Sequence, residues 1–490
     1  MSRLLRLTLL FAGALAQTAG GLHAATARPN ILWIIVDDIS PNFGCYGETD
    51  IRTPNVDAIA KSGILFEQAH TTAPVCSASR SALITGMYQT TIGAQNHRSG
   101  RGANKVRLPE GVELVPALFQ KAGYYTCISD GKPDARTLGK TDYNFEWDRS
   151  VYNGPDWSGR KPGQPFFMQV QLLGGKHRDL GRWKELDAYF GADATAPDSV
   201  ASLPPYYPRD PVILADWAHY LDSMRMTDIE VGRVIDRLRS EGLLDNTLII
   251  LIGDHGVSHA RGKQFLYTEG TRIPFIVAGP GVGTGKVRND LIEQIDMAAI
   301  SLAAAGIPIP ATMQARDVLA PDYVKRDAVF AARDRCDETV DRIRSVRTDR
   351  WLYIRNYHPL RPHLQPNAYK DTKPILIRLR ELHAAGTLDM LSERLLFAPT
   401  RAPEELYEWV NDRWEINNLA GEPSRWPVLA ELRARLDRWI VETNDHGREP
   451  ESQAVYEGNV RTQRHRGNDA AASTINKNIE TMLRWQADGI

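Results

Sequence analysis

The sequence predicts an α/β protein with a large, mixed, mostly parallel sheet between layers of helices, followed by a smaller C-terminal α+β domain. Continuous apolar runs predict strands that are buried on both faces, as in parallel sheets. These runs alternate with helical patterns over residues 28–330, which favours helices on both faces of the sheet. Short, half-polar strand patterns follow, so we expect a large α/β domain at 26–330 and a second, α+β domain at 331–490.

The first strand is predicted in PNILWIIVDD, an apolar run that ends in Asp37 and Asp38. It would deliver two carboxylates to the C-terminal edge of the sheet, where ligands bind in open α/β folds. A short helix follows, with Thr53 as a candidate N-cap, Pro54 in the first turn and Gly63 as its stop. It leads to the strand ILFEQAH.

The middle of the chain continues the alternation. VELVPALFQKAGYYTCISD predicts a helix and a strand, and QPFFMQVQLL predicts another buried strand. Apolar residues at helical spacing predict a long amphipathic helix over Asp216–Gly242. NTLIILIGDHG then repeats the pattern of the first strand and ends in Asp254 and His255. TRIPFIVAGPG predicts one more strand, and IEQIDMAAISLAAAG one more helix.

The second domain is predicted from DAVFAARD, SVRTDRWLYIRNY and EELYEWVNDRWEINN, which alternate like half-exposed strands. A helix near Ser424–Thr443 completes it. The polar tail from Gly447 is expected to wrap the surface before a last helix at Ile475–Gln486.

Composition excludes a chain-wide basic surface for nucleic acid. Lys and Arg number 59 against 60 Asp and Glu, which gives a formal net charge of −1. Any anionic substrate must therefore be recognised by local cations.

The N-terminus has the layout of a cleaved secretory signal, with Arg3 and Arg6 before an apolar run at Leu7–Ala16 and small residues near Ala25. The alternative is a membrane anchor, but the run is too short to cross a bilayer. We therefore expect residues 1–25 to be removed, a periplasmic or secreted enzyme, and no membrane span in the mature chain.

Four cysteines, at positions 45, 76, 127 and 336, are too few for a disulfide framework in 490 residues. If Cys76 serves chemistry, the other three allow either one disulfide with a free thiol or three reduced thiols.

The most informative segment is TTAPVCSASRSALITGMYQTTIG, which contains Cys76, Ala78 and Arg80 in a C-x-A-x-R frame. It resembles the signature of sulfatases, in which this cysteine is oxidised to formylglycine. The five-residue frame alone is weak, but its flanks match as well. PNILWIIVDD, TPNVDAIAKSGILFEQAH, GDHG, GKQFLYTEGTRIPFIVAGPG and EELYEWVNDRWEINNLA resemble further family segments in the same order, over roughly residues 28–445. The resemblance implies an alkaline phosphatase-like fold.

A divalent cation is expected between the two strand ends. Asp37, Asp38, Asp254 and His255, together with residue 76, would form a hard, mostly oxygen site suited to Ca²⁺, with Mg²⁺ possible. His255 stands where many family members carry Asn, and its nitrogen suits Ca²⁺ less well.

Cys76 precedes a helix predicted from Ser77 to Thr85, so it would lie at a positive helix end, with Arg80 one turn along. The resemblance implies that one hydroxyl of the aldehyde hydrate attacks sulfur and that the other collapses to expel sulfate. The alternative for Cys76 is a small buried thiol.

Two lysines match family positions. Lys140 lies in LGKTDYNF, and Lys263 follows the strand that ends in Asp254 and His255. The resemblance implies that both neutralise sulfate oxygens; the alternative is a solvated surface charge. Asp142 stands where the family has a histidine, so the base that assists the collapse is open, and His97 is one candidate.

His177 follows the strand QPFFMQVQLL, about where the family shows H-x-P-H and supplies the acid for the leaving group. Only the last histidine of that motif is kept here. An imidazole can hold a proton near neutral pH, so His177 is a candidate acid, or else a histidine of a surface loop. Five residues in polar loops are candidates for reading the rest of the substrate or for structural roles: His97, Arg98, His259, Arg335 and Asp337.

Together these features predict a hydrolase for sulfate esters or N-sulfate of a carbohydrate, such as a glycosaminoglycan or another sulfated glycan. A formylglycine-generating maturation enzyme is the expected partner. Two alternatives stay open. One is a phosphate or phosphonate hydrolase of the same superfamily, which usually has Thr or Ser as nucleophile. The other is a non-catalytic binding protein, because Ala78 replaces the more usual Pro and Cys76 could stay unmodified.

Overall fold

The computed structural model describes residues 28–99, 105–464 and 469–490, so the predicted signal peptide lies outside the described residues. Thirteen strands lie in these ranges: β1 (Asn30–Val36), β2 (Gly63–Phe66), β3 (Ala69–His70), β4 (Tyr125–Ser129), β5 (Phe166–Leu172), β6 (Thr247–Gly253), β7 (Phe275–Ala278), β8 (Lys286–Arg288), β9 (Ile292–Glu293), β10 (Val329–Arg333), β11 (Ile343–Arg347), β12 (Leu352–Asn356) and β13 (Glu404–Tyr407).

The same ranges contain these helices: α1 (Pro54–Lys61), α2 (Cys76–Thr85), α3 (Val115–Lys121), α4 (Trp183–Phe190), α5 (Pro211–Ser240), α6 (Thr268–Thr271), α7 (Asp296–Ala304), α8 (Pro374–Ala384), α9 (Met390–Ser392), α10 (Trp426–Glu442), α11 (Gln453–Arg464) and α12 (Asp469–Ala487). None of these helices has both the length and the apolar content that crossing a bilayer requires.

The mostly parallel large sheet is confirmed. Within the described residues its strand order is β4-β5-β1-β6-β7-β2-β8, with β7 antiparallel to both of its neighbours and every other pair parallel. β1 lies inside the sheet, between β5 and β6, with both faces buried: Ile31, Trp33 and Ile35 pack into one core, while Leu32 and Ile34 pack into the other. Because both faces of this strand are buried, apolar and polar residues do not alternate along it.

The smaller domain contains a four-stranded antiparallel sheet in the order β10-β11-β12-β13, against which α10 packs. Leu432 and Leu436 of α10 join the same hydrophobic core as Trp33 of β1, so the sheet shares a core with the large one. The tail differs from the expectation, because it contains α11 as well as a longer final helix. Apolar residues of these two helices, Tyr456 and Ile479 among them, pack on each other.

The long helix starts earlier than predicted, because Asp210 caps it by accepting a hydrogen bond from the Val212 N–H and Pro211 occupies its first turn. All four cysteines are free thiols, of which Cys45 is half-buried and the others are buried.

Candidate active site

The register of the central strands places the candidate ligands together. Val36 of β1 pairs with Gly253 of β6 in parallel, so the residues that follow each strand leave the sheet side by side. The Asp38 N–H donates to Asp254 Oδ1 at 3.1 Å and fixes this arrangement. Asp38 adopts φ +55°, a strained conformation for a residue other than glycine and one that is common at functional sites.

Cys76 opens α2 and lies directly over the two strand ends, with 4% of its surface exposed. Its Sγ is 3.1 Å from His255 Nε2, 3.0 Å from Lys263 Nζ and 3.6 Å from Asp38 Oδ1. Burial raises the pKa of the thiol, but Lys176 and Lys263 outweigh it and lower the pKa to about 7. An unmodified Cys76 would therefore be partly ionised at neutral pH.

Asp38, Cys76, Asp254 and His255 each offer one ligand atom, and these atoms lie within 4.8 Å of one another. His255 Nδ1 is 2.9 Å from the Gly256 carbonyl oxygen, which can only accept, so Nδ1 carries a proton and Nε2 is the nitrogen that faces Cys76 and Asp38. Asp254 Oδ2 is buried and has no hydrogen-bond partner in the part of the chain that the structure describes. Clustered carboxylates with an unbonded oxygen fit a divalent cation.

Four cations surround these carboxylates. Arg80 contacts Asp37, and Arg80 Nη2 is 3.3 Å from Asp254 Oδ2. Lys140 Nζ is 2.9 Å from Asp37 Oδ2, and Lys263 Nζ is 3.0 Å from Asp38 Oδ1. The fourth cation, Lys176, was not among the residues predicted from the sequence.

These contacts explain the protonation of the site. Burial raises the pKa of Asp37, but Arg80, Lys140 and Lys176 outweigh it and hold the pKa well below its ordinary value. Burial also raises the pKa of Asp38, and Lys176 and Lys263 reverse that effect. Both aspartates therefore remain ionised and able to bind a cation.

The structure does not bring His177 into this cluster. Its Nε2 lies 3.2 Å from Glu230 Oε2 on α5, whereas the preceding residue, Lys176, points at Asp37. Both residues lie in the 3₁₀ helix Gly174–Gly181. Successive side chains of a 3₁₀ helix point about 120° apart, so residues 176 and 177 cannot face the same site. Distance from a strand end alone could not have distinguished them.

A second buried cluster, formed by His97, Arg98 and Asp337, lies beside the first. His97 Nδ1 and Arg98 Nη1 lie 3.1 Å and 3.0 Å from Asp337 Oδ1. The Arg98 N–H donates to Ser77 Oγ at 3.0 Å, which ties the cluster to α2. Arg98 and Asp337 both adopt positive φ, at +63° and +53°. Asp142 also acts here, since its charge raises the pKa of Arg98.

Within this cluster His97 is neutral. Burial lowers its pKa to about 4, and the Asp337 carboxylate accepts the Nδ1 proton. In the described ranges, the opposite ring nitrogen, Nε2, is buried without a hydrogen-bond partner. Contact of His97 and of the partly exposed Arg98 with a bound substrate stays a prediction.

Arg335 and His259 are instead enclosed by other residues of the chain. Arg335 donates to the carbonyl oxygens of His97 and Asp337 and pairs with Glu451, so its guanidinium is occupied in holding the loops together. His259 is fully buried and stacks on Trp217 with ring centroids 5.0 Å apart. Both residues lie in loops that fold back into the core. Their residue types and their positions in polar loops did not predict this burial.

Asp337→Asn should lower the free energy of unfolding by about 2 kcal/mol at neutral pH. It removes a buried negative charge that accepts hydrogen bonds from the His97 ring and the Arg98 guanidinium. Burial raises the pKa of Asp337, but His97 and Arg98 hold it far below its ordinary value. A depressed pKa stabilises the fold above the unfolded value, so the difference should shrink as pH falls below about 4. Urea unfolding across this range measures it, with the exposed Asp349→Asn as control. A difference that does not change with pH would contradict this role.

Comparison with known proteins identifies the family of this chain. A sequence profile described as Sulfatase matches residues 29–307, and one described as N-sulphoglucosamine sulphohydrolase, C-terminal, matches residues 253–363. An ulvan-active sulfatase of Formosa agariphila is 31% identical, over 87% of this chain and 77% of its own. The human N-sulphoglucosamine sulphohydrolase is 27% identical, over 86% of this chain and 92% of its own.

A solved 2-O GAG sulfatase superposes with a TM-score of 0.63 at 19% identity, over 88% of this chain and 96% of that one. This likeness confirms the alkaline phosphatase-like fold. The family profile spans more than half of the chain, and the Formosa relative exceeds 30% identity. The chain therefore belongs to the sulfatase family and is a sulfuric ester hydrolase.

Proposed function

We propose that this sulfatase removes O-sulfate or N-sulfate from a carbohydrate, with a formylglycine made from Cys76 and with a bound Ca²⁺. The observation that carries the proposal is the placement of Cys76, at the N-terminus of a buried helix, against both a carboxylate cluster and several cations. A helix N-terminus and fixed cations favour an oxyanion. A sulfate monoester presents that oxyanion, and a nucleophile at residue 76 would lie next to it.

Asp37, Asp38, Asp254 and His255 would hold the cation, and their mostly oxygen donor set favours Ca²⁺, with Mg²⁺ as the alternative. A hydrated formylglycine at residue 76 would supply a nucleophilic hydroxyl for sulfur, and a cation held by these residues would polarise the sulfate oxygens. The formyl group requires a maturation enzyme that accepts Ala78 in the C-x-A-x-R frame.

The protein's own groups then bind and orient the sulfate. Lys263 Nζ lies 3.0 Å from Cys76 Sγ, and Lys140 and Arg80 both pair with Asp37, Arg80 from α2. These charges are placed before the substrate binds, so they stabilise the developing charge with little reorganisation.

A carbohydrate substrate is supported by the relatives, which include an ulvan-active sulfatase and an N-sulphoglucosamine sulphohydrolase. The exposed fractions of Arg98 and Lys140, 33% and 29%, place two cations toward the solvent side of the site, where a polyanionic glycan could contact them. The signal-like N-terminus supports action in the periplasm or outside the cell.

The test is turnover by the matured, Ca²⁺-loaded protein on a panel of O-sulfated and N-sulfated mono- and disaccharides. We expect release of inorganic sulfate from at least one of them, with kcat/KM at least about 10²-fold above that for the matching sugar phosphate, because the chain belongs to the sulfatase family.

Preference for the phosphate ester would establish the phosphohydrolase alternative. Binding of sulfated sugars without any sulfate release, by protein whose residue 76 is fully converted, would contradict the proposal. The same result with an unmodified thiol would identify a binding protein.

A further inference from the structure

A glycine pair lets the 3₁₀ helix Gly174–Gly181 lie directly on the backbone at the end of β1. A Cβ on Gly174 would be 2.2 Å from the Asp37 carbonyl oxygen, and one on Gly175 would be 2.3 Å from that of Asp38. The Gly175 N–H donates to the Asp37 oxygen at 3.0 Å. Side chains are excluded at both positions, so the backbone that leads into Lys176 is held against the two carboxylate residues.

This backbone directs Lys176 into the active site. Lys176 Nζ contacts Asp37 Oδ2 and lies 3.6 Å from Asp38 Oδ1 and 3.8 Å from Cys76 Sγ. Its side chain is 20% exposed, whereas that of Lys263 is 3% exposed. Lys176 therefore lies between the buried floor of the site and solvent, the side from which a substrate reaches residue 76.

Lys176 is paired with two carboxylates, those of Asp37 and Asp38. A buried cation without a counter-charge is strongly destabilising. A divalent cation bound by Asp37 and Asp38 would compete with Lys176 for the same oxygens. The anion that then remains within reach is a sulfate group at residue 76.

We propose that Lys176 is a further catalytic residue, which contacts the sulfate group while it is transferred at residue 76. It joins Arg80, Lys140 and Lys263 as a fourth fixed cation around the sulfate oxygens. It acts as a permanent charge and moves no proton. This inference rests on the proposed function, in which residue 76 is the nucleophile.

The test compares Lys176→Met, which keeps the apolar stem, with Lys176→Arg, which keeps the charge. The adjacent His177→Gln is the matched control, because His177 faces Glu230. Two quantities are measured on matured, Ca²⁺-loaded, full-length protein: kcat/KM on a sulfated sugar, and the Kd of inorganic sulfate by calorimetry.

Lys176→Met should lower kcat/KM by about 10²- to 10³-fold, the usual cost of one preorganised charge-stabilising contact. It should also weaken sulfate binding by about tenfold or more, as expected for one lost charge-assisted hydrogen bond. Lys176→Arg should recover part of both, and His177→Gln should change each by less than about threefold. If Lys176→Met does not fold, Lys176→Gln, which can still donate to Asp37, provides the uncharged arm.

Unchanged kcat/KM and sulfate affinity in the uncharged variant would overturn the inference. So would a variant whose Ca²⁺ affinity rises while its sulfate affinity stays constant, because Lys176 would then only neutralise the metal-free carboxylates. An equal loss in His177→Gln would assign the contact to the histidine. If the wild type binds sulfate through Lys176 but hydrolyses no sulfated sugar, the proposed function fails and the sulfate contact stands.

Discussion

Cys76→Ala is expected to abolish sulfate-ester hydrolysis, with a loss of about 10⁶-fold in kcat, comparable with removing the nucleophile of other enzymes that act through a covalent intermediate. The reason is the position of residue 76, which is the group that contacts Lys263, His255 and the carboxylate cluster together. The cations would still bind sulfate, so substrate affinity should fall much less than turnover. Turnover and equilibrium binding of a sulfated sugar measure the two effects separately.

The fold should survive this change. Removing one buried sulfur costs about 1 kcal/mol, and α2 keeps its remaining contacts. Cys127→Ala is the matched control, because Cys127 is an equally buried thiol on β4, away from the cluster. It should retain full turnover at a similar loss of stability.

Mass spectrometry of the peptide that contains residue 76 supplies the second control. Active wild-type preparations should show conversion of the thiol to an aldehyde, and activity should rise with the converted fraction. Full activity in Cys76→Ala, or in protein whose Cys76 is entirely unmodified, would rule out the proposed nucleophile.

The strand ends could be predicted from the sequence because two physical signals coincide there. The apolar runs before Asp37 and Asp254 are typical of strands that are buried on both faces of a parallel sheet, and a carboxylate directly after such a strand lies at the edge of the sheet. The helix at Cys76 could also be predicted from the sequence of its own segment. The register of β1 and β6, which pair as neighbours, then places the two strand ends side by side.

The direction of individual side chains could not be predicted. Lys176 and His177 are adjacent in the sequence, and only the 3₁₀ geometry and the glycine contacts with Asp37 and Asp38 decide which one enters the site. Arg335 reads as a surface cation, although its guanidinium is enclosed by loop carbonyls. The glycine contacts join segments 137 residues apart, and the contact of Arg335 with the His97 carbonyl joins segments 238 residues apart, so no local pattern encodes them.

Removal of the divalent cation is expected to have the second large effect, and the effect on activity should far exceed the effect on stability. Without the cation, the sulfate loses its strongest electrostatic partner, so activity should fall by about 10³-fold or more. The carboxylates keep partners of their own, because Arg80 and Lys140 pair with Asp37, and Lys263 pairs with Asp38. The metal-free protein should therefore stay folded.

The stability that binding adds follows from mass action. Ca²⁺ at about 100 times its Kd should raise the free energy of unfolding by about 2.7 kcal/mol, so the thermal midpoint should increase with Ca²⁺ concentration.

Asp254→Asn removes one carboxylate from the cluster, including an oxygen without a hydrogen-bond partner among the described residues. It should weaken calorimetric Ca²⁺ binding strongly and abolish this dependence. Asp156→Asn, which breaks a buried pair with Arg237 away from the cluster, should leave it intact. A thermal midpoint and activity unchanged after exhaustive chelation, with no ion detected by metal analysis beforehand, would contradict the cation site, because the ion pairs alone would then account for the buried carboxylates.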